Sequence, residues 1–352
     1  MYKCINGMQH IGIGVADHEA SWKWYRTYFG LDIPFFNSIA EAPLMQRYNR
    51  GVVIEKRAAM VMNLQGGCAV EVIRPTSFEP QPPDFIPALG DLGIFISRVK
   101  TRDIKKSYAQ FTEGGVAVSP LTTTPDGKDT FFVKDINGLT FQLLEGNEWF
   151  TKNKQVTGGI QGMVAGVSDI DKSIKFYRDI IGFDKVVYDE TGTFEDWGEF
   201  VDGGKNKFRR VLLEQSTGSQ GNWSKLIGKT QIELVQVLDR KPVKIFKGRQ
   251  WGDIGFVHVG LDVKGMEALE KDFEAHGHPF TCDSTSGLDM GNTQVHCVYI
   301  EDPDNTLIEL IEVYKIPLVE KWGLFLNVQK RNPKKPLPEF MLKMLKWSRV
   351  KD

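Results

Sequence analysis

The chain has 352 residues, with 44 Lys and Arg against 45 Asp and Glu and a formal net charge of -1. That balance excludes the basic footprint of a nucleic-acid binder, and 41% hydrophobic with 25% charged residues excludes a disordered chain. Apolar runs stay strand-sized, short of the roughly 20 residues that span a bilayer. MYKCINGMQH lacks an apolar leader and the four cysteines form no CxxC, so a cytoplasmic protein without a disulfide frame or zinc ribbon is expected.

Four modules follow one another. MQHIGIGV reads as a strand. Asp17 is an N-cap for a helix carrying Trp22, Tyr25 and Phe29 on one face, and Gly30 stops it. LDIPFFNS, RAAMVMNL and CAVEVIRP complete module 1 as strands. Module 2 holds the strand GIFISRV, the helix TRDIKKSYAQFTEGG and a hairpin turning at Asn137-Gly138. Module 3 repeats module 1, with GMVAGVSDIDKSIKFYRDIIGFD set 152 residues after HIGIGVADHEASWKWYRTYFGLD. It also carries an insertion, STGSQGNWSKLIG. Module 4 repeats module 2, and EDPDNTLIELIEV answers KDINGLTFQLLEG. The organisation is therefore tandem modules 1 and 2 over 1–150, tandem modules 3 and 4 over 151–314, and an extension over 315–352. PEFMLKMLKW in that extension reads as a short amphipathic helix, packing over a barrel end or at a subunit contact.

His10 followed by Asp17, the stretch FYRDIIGF and the stretch EDPDNTLIEL carry a resemblance to the vicinal oxygen chelate superfamily. That group includes glyoxalase I, bleomycin-binding proteins and extradiol dioxygenases. The resemblance implies an α+β fold of four βαβββ modules paired into two open barrel-like cups. It also implies a ligand slot on the first and last strand of each module. Those slots read His10 and Glu71, then Gly93 and Gln142, then Gly162 and Glu233, then His258 and Glu309. Pairing neighbours leaves both cups incomplete. Pairing the outer modules unites His10, Glu71, His258 and Glu309 and leaves a degenerate second cup. Outer pairing is the favoured arrangement.

By resemblance, the four residues hold a divalent ion (Zn, Ni, Mn, Co or Fe(II)), because neutral imidazole and carboxylate suit these borderline metals. Glu71 or Glu309 would then be the general base, and Tyr299 either touches the substrate or is a packed strand aromatic. The leading function is a metal-dependent glyoxalase-like lyase or isomerase, acting on a small substrate with vicinal oxygens through an enediolate. An extradiol-type Fe(II) dioxygenase using His10, His258 and Glu309 is an alternative, and a metal-free ligand-sequestering protein is another. Partners are limited to a small molecule, with an oligomer possible. Trp197 and Trp223 are candidates to cover a cup mouth or to pack at an edge. Arg209 and Arg210 read as a solvated face or an anion contact, and His18 as solvent-exposed.

Overall fold

The computed structural model describes residues 2–285, 288–290, 293–319 and 323–350. Module 1 comprises β1 (Cys4–Gly14), α1 (His18–Phe29), β2 (Ile33–Glu41), β3 (Glu55–Met62) and β4 (Ala69–Pro75). Module 2 comprises β5 (Gly93–Thr101), α2 (Ile104–Glu113), β6 (Thr122–Thr123), β7 (Asp129–Lys134) and β8 (Thr140–Glu145). Module 3 comprises β9 (Thr157–Gly166), α3 (Ile170–Lys175), β10 (Lys185–Gly192), β11 (Phe208–Glu214), the short α4 (Ser224–Ile227) and β12 (Gln231–Val237). Module 4 comprises β13 (Gly255–Lys264), α5 (Met266–Ala275), β14 (Cys282–Asp283), β15 (Leu288–Met290), β16 (Thr293–Glu301) and β17 (Leu307–Val319). The extension adds β18 (Leu324–Asn327) and α6 (Glu339–Met344).

Local chemistry fixes these elements. Asp17, Asp103 and Asp169 each accept a backbone N–H of the first helical turn, which satisfies an otherwise orphaned donor. Gly30 ends α1 with φ 63°, a conformation that costs glycine little. The helix of module 3 gives way after Lys175 to a π turn over Phe176–Ile180.

Two curled sheets result. One runs β14-β16-β17-β13-β1-β4-β3-β2, so it joins module 4 to module 1. The other runs β10-β11-β12-β9-β5-β8-β7-β6 and joins module 3 to module 2. The halves 1–150 and 151–314 are units of sequence, and each sheet draws one module from each. Within a module the first and last strands are parallel neighbours, and the two modules of a sheet meet through an antiparallel pair of first strands.

One continuous apolar cluster contains residues of both sheets and of α1, α2, α3 and α5. Two matching tethers lock the cups together. The Tyr25 hydroxyl donates to Asp135 at 2.6 Å, and the Tyr177 hydroxyl donates to Asp302 at 3.0 Å. Beside them, the Ala16 N–H donates to Asn137 and the Ser168 N–H donates to Asp304. The aromatic helix end and the DxxG or DxDN turn, which mark the repeat in sequence, are therefore the two sides of one contact. The extension packs against β17, β2 and the module 3 insertion. Leu337, Leu342 and Leu345 enter the main core, and Arg349 pairs with Asp32 at 2.9 Å.

Candidate metal centre

The four slots brought together by the outer sheet converge. His10 Nε2 lies 3.0 Å from His258 Nε2 and 3.3 Å from Glu309 Oε2. His258 Nε2 lies 3.4 Å from Glu71 Oε2 and 3.5 Å from Glu309 Oε2. His10, Glu71 and His258 are buried, and the Glu309 side chain is 12% exposed. Ligands about 2.1 Å from an ion stand roughly 3.0 Å apart in cis-octahedral and about 3.4 Å apart in tetrahedral geometry. Four pairs in the cup, at 3.0–3.5 Å, lie close to these separations, and His10 Nε2 stands 3.9 Å from Glu71 Oε2. The residues present fit a divalent ion.

The strand register explains the convergence. On β1 the order is His10-Ile11-Gly12, and on β13 it is His258-Val259-Gly260. The antiparallel pairing sets His10 opposite Gly260 and Gly12 opposite His258. Each imidazole lies over the glycine of the other strand, and a Cβ at Gly12 or Gly260 would fall on the facing His ring. Glycine is required at both places because a ring occupies the side-chain space. Glu71 and Glu309 follow from the parallel neighbours, where Gly12 pairs with Glu71 and Gly260 with Glu309.

Electrostatics point the same way. Burial disfavours the His258 imidazolium, but the Glu309 and Glu71 carboxylates override it and raise its pKa to about 9. Burial opposes ionisation of Glu71, yet Lys56 and His258 hold its pKa down to about 2. Hydrogen bonds from His10 and His258 overcome burial at Glu309 and hold it well below the usual carboxylate range. The cup therefore keeps two carboxylates charged and recruits a proton as counter-charge. A dication takes the place of such a proton when it binds.

Three neighbours complete the site. Lys56 Nζ sits 3.0 Å from Glu71 Oε1 and over the Trp251 ring. Trp251 lies nearly parallel to the His258 imidazole. Tyr299 pairs in register with Glu309, is buried, and sets its ring edge-on to His258 with centroids 5.5 Å apart. The sequence offered no signal for Lys56 or Trp251, which occupy no repeat slot. The ligand set opens into a cavity of about 570 Å³ whose lining includes Tyr299, Trp251 and, from the module 3 insertion, Trp223.

The inner sheet carries a different centre. Its register makes Gly162 the counterpart of His10, Glu233 of Glu71, Gln142 of Glu309 and Ile96 of His258. The expected slot residue Gly93 lies outside the set: it begins β5 as Gly255 begins β13, three residues before the slot, and Ile96 stands where β13 carries His258. Arg98 takes the place of Gly260, so a side chain stands where the outer cup leaves room for an imidazole. Arg98 is fully buried with a guanidinium nitrogen 3.8 Å from Glu233. Arg210 is also fully buried. It reaches Glu233 at 2.6 Å, contacts both Asp196 oxygens, and stacks on Trp197 at 3.7 Å from the ring centroid. The Tyr188 hydroxyl donates to Glu233 at 2.7 Å.

Several expectations change accordingly. Arg210 points inward while Arg209 pairs at the surface with Asp171 and Asp189, as alternation along one strand requires. Trp197 backs this charge network and covers no mouth. His18 is buried and neutral, because burial and the Arg57 charge lower its pKa to about 4. His276 is exposed.

The comparisons agree with this architecture. The profile of the glyoxalase/bleomycin resistance protein/dioxygenase superfamily matches residues 7–143 and 159–310. The chain belongs to that superfamily. A probable lactoylglutathione lyase of Vibrio parahaemolyticus is 27% identical over 155 residues, 44% of this chain and 91% of that protein. Glyoxalase I from Zea mays superposes with a TM-score of 0.53 at 14% identity, covering 88% of this chain and 92% of that one. A putative dioxygenase from Bacillus subtilis superposes with a TM-score of 0.59 at 14% identity, covering 88% and 86%. At such identities the superpositions establish the fold alone. Among the described residues, no helix is long and apolar enough to cross a membrane.

Proposed function

We propose that the outer cup is the active site of a metal-dependent, glyoxalase-like lyase or isomerase, with His10, Glu71, His258 and Glu309 holding the ion. The observation that carries the reading is the fourth ligand. Two imidazoles and two carboxylates bring their ligand atoms within 4.8 Å of one another. When bound, a divalent ion supplies Lewis acidity to paired substrate oxygens.

The chain's own residues divide the remaining work. Lys56 pins one oxygen of Glu71, so this carboxylate is the fixed one. Glu309 has no ammonium partner among the described residues and borders the cavity, so it is the general base. It takes a proton from the carbon beside the substrate carbonyl and returns it to the neighbouring carbon. Tyr299 and Trp251 hold the His258 ring by edge and face contact. The apolar lining excludes water from the charged intermediate.

A dioxygenase would use three ligands and keep the opposite side open for oxygen. Glu71, held inside the cup by Lys56, argues against it. A sequestering protein would not need the complementary glycines that make room for both imidazoles. The test is metal-dependent exchange of solvent deuterium into α-hydroxy ketones and hemithioacetals, with oxygen uptake on catechols run alongside. The reading fails if chelator-stripped protein retains full turnover, or if the His258→Ala variant does.

A further inference from the structure

Building on that reading of the outer cup, we propose that its substrate is an α-hydroxy ketone with a bulky apolar, aromatic-sized body and no second anionic group, and that a glutathionyl conjugate is not the substrate. The cavity of about 570 Å³ is of drug-like size, where an apolar wall with few polar groups fixes orientation. Phe35, Met60, Met62, Trp223, Leu226 and Ile311 form much of that wall. Phe35 meets Trp223 edge-to-face at 5.3 Å, so strand β2 and the module 3 insertion close over the cup together. Methionine and tryptophan make an adaptable surface for a planar apolar ring.

Charge narrows the class further. Among the described lining residues, Lys56 is the one lysine or arginine, and its ammonium is already committed to Glu71 at 3.0 Å. Glu41 adds a further carboxylate to the lining. A glutathionyl group carries two carboxylates, and burying either without a cation is costly. The cup offers no such cation. At the ligand set itself, an ion of charge +2 with Glu71, Glu309 and Lys56 would leave a net +1, which matches one enediolate monoanion, and the exposed Glu41 carboxylate further out disfavours a second anion.

The reaction balances without a co-reactant. Glu309 removes the proton from the carbinol carbon, and the electron pair moves to form the enediolate. The same proton returns to the former carbonyl carbon, while the hydroxyl proton passes between the two oxygens. One C–H bond breaks and one forms, and no redox partner is consumed.

The test is calorimetric titration of the zinc-loaded protein with three bidentate hydroxamates that mimic the enediolate head. Acetohydroxamate carries the head alone, 2-naphthohydroxamate adds an apolar ring, and a third carries a glutathionyl tail. The naphthyl compound should bind at least about tenfold tighter than the bare head, from the apolar area it removes from water. The glutathionyl compound should gain nothing. Trp223→Ala should erase most of the naphthyl gain, and Met60→Lys should shift preference towards the glutathionyl compound. If the bare head binds but the naphthyl ring adds nothing, or the glutathionyl tail binds tightest, the substrate assignment is overturned and the metal site stands. If the bare head does not bind, the metal reading falls and takes this assignment with it.

Discussion

Replacing Gly260 by alanine removes no ligand atom, yet it should cripple the metal centre. The added methyl falls on the His10 ring, which must back away by more than about 1 Å to reach ordinary contact distance. That motion carries Nε2 off its position 3.0 Å from His258 and 3.3 Å from Glu309. Disturbing a ligand's orientation costs roughly 100-fold in affinity at the upper end. With 352 residues at about 2.1 cal/mol/K each, the unfolding entropy near Tm is about 0.74 kcal/mol/K. An ion at about 1,000 times its Kd stabilises the wild-type protein by about 4.1 kcal/mol, or about 5.5 °C in Tm. At the same ion concentration the variant retains about 1.4 kcal/mol, or about 2 °C. Thermal melts with chelator and with added Zn²⁺ measure both shifts. The double variant Gly260→Ala with His10→Ala should recover the Tm of the metal-free protein, because the methyl then has room. A variant whose melting temperature rises with zinc as much as the wild type does would refute the reciprocal-glycine argument.

Other outcomes follow from the same geometry. Glu309→Gln should keep a weakened metal site and lose deuterium exchange by at least about 100-fold, as loss of a general base does; unchanged exchange would move the base elsewhere. Arg210→Met should cost roughly 3–5 kcal/mol by leaving Glu233 and Asp196 buried without their partner, seen as a lower Tm, while zinc affinity stays at the wild-type value. The pH dependence of stability should carry the mark of Asp262, whose pKa burial pushes up to about 7 against the Asn6 hydrogen bond. A raised acid favours the folded state while protonated, so this contribution is complete near pH 4 and is lost as pH rises through about 7. Asp262→Asn should flatten the fall in Tm between pH 5 and 8, and an unchanged slope would reject the assignment.

The repeat made much of this readable from sequence. The two H-x-G triplets and the two late-strand glutamates stand at matching positions, and only outer pairing unites them. What escaped has physical causes. Gly93 matches Gly255 at the start of β13 and not His258 three residues on, and an apolar Ile96 in the true slot gives no chemical signal, so Arg98 drew no notice either. Arg209 and Arg210 were read as one unit, although neighbours on a strand must face opposite sides. Lys56 and Trp251 come from a strand and a linker outside the repeat slots, and only the closed cup reveals their roles. The insertion holding Trp223 reaches the outer cup from a module of the inner one, a contact that no local pattern encodes.

Pairing first strands from opposite ends of the chain also constrains assembly. β1 and β13 meet across some 250 residues, from Cys4 to Lys264, whereas β5 and β9 are near neighbours in sequence. Closing the longer loop is the slower event. During synthesis the inner barrel can close first and template the outer one, where His10 and Glu71 wait on paired strands whose open β1 edge has no partner until module 4 emerges. A chain truncated before residue 255 would therefore keep His10 and Glu71 and still lack a site, and the two halves expressed as separate polypeptides should regain it only by exchanging strands.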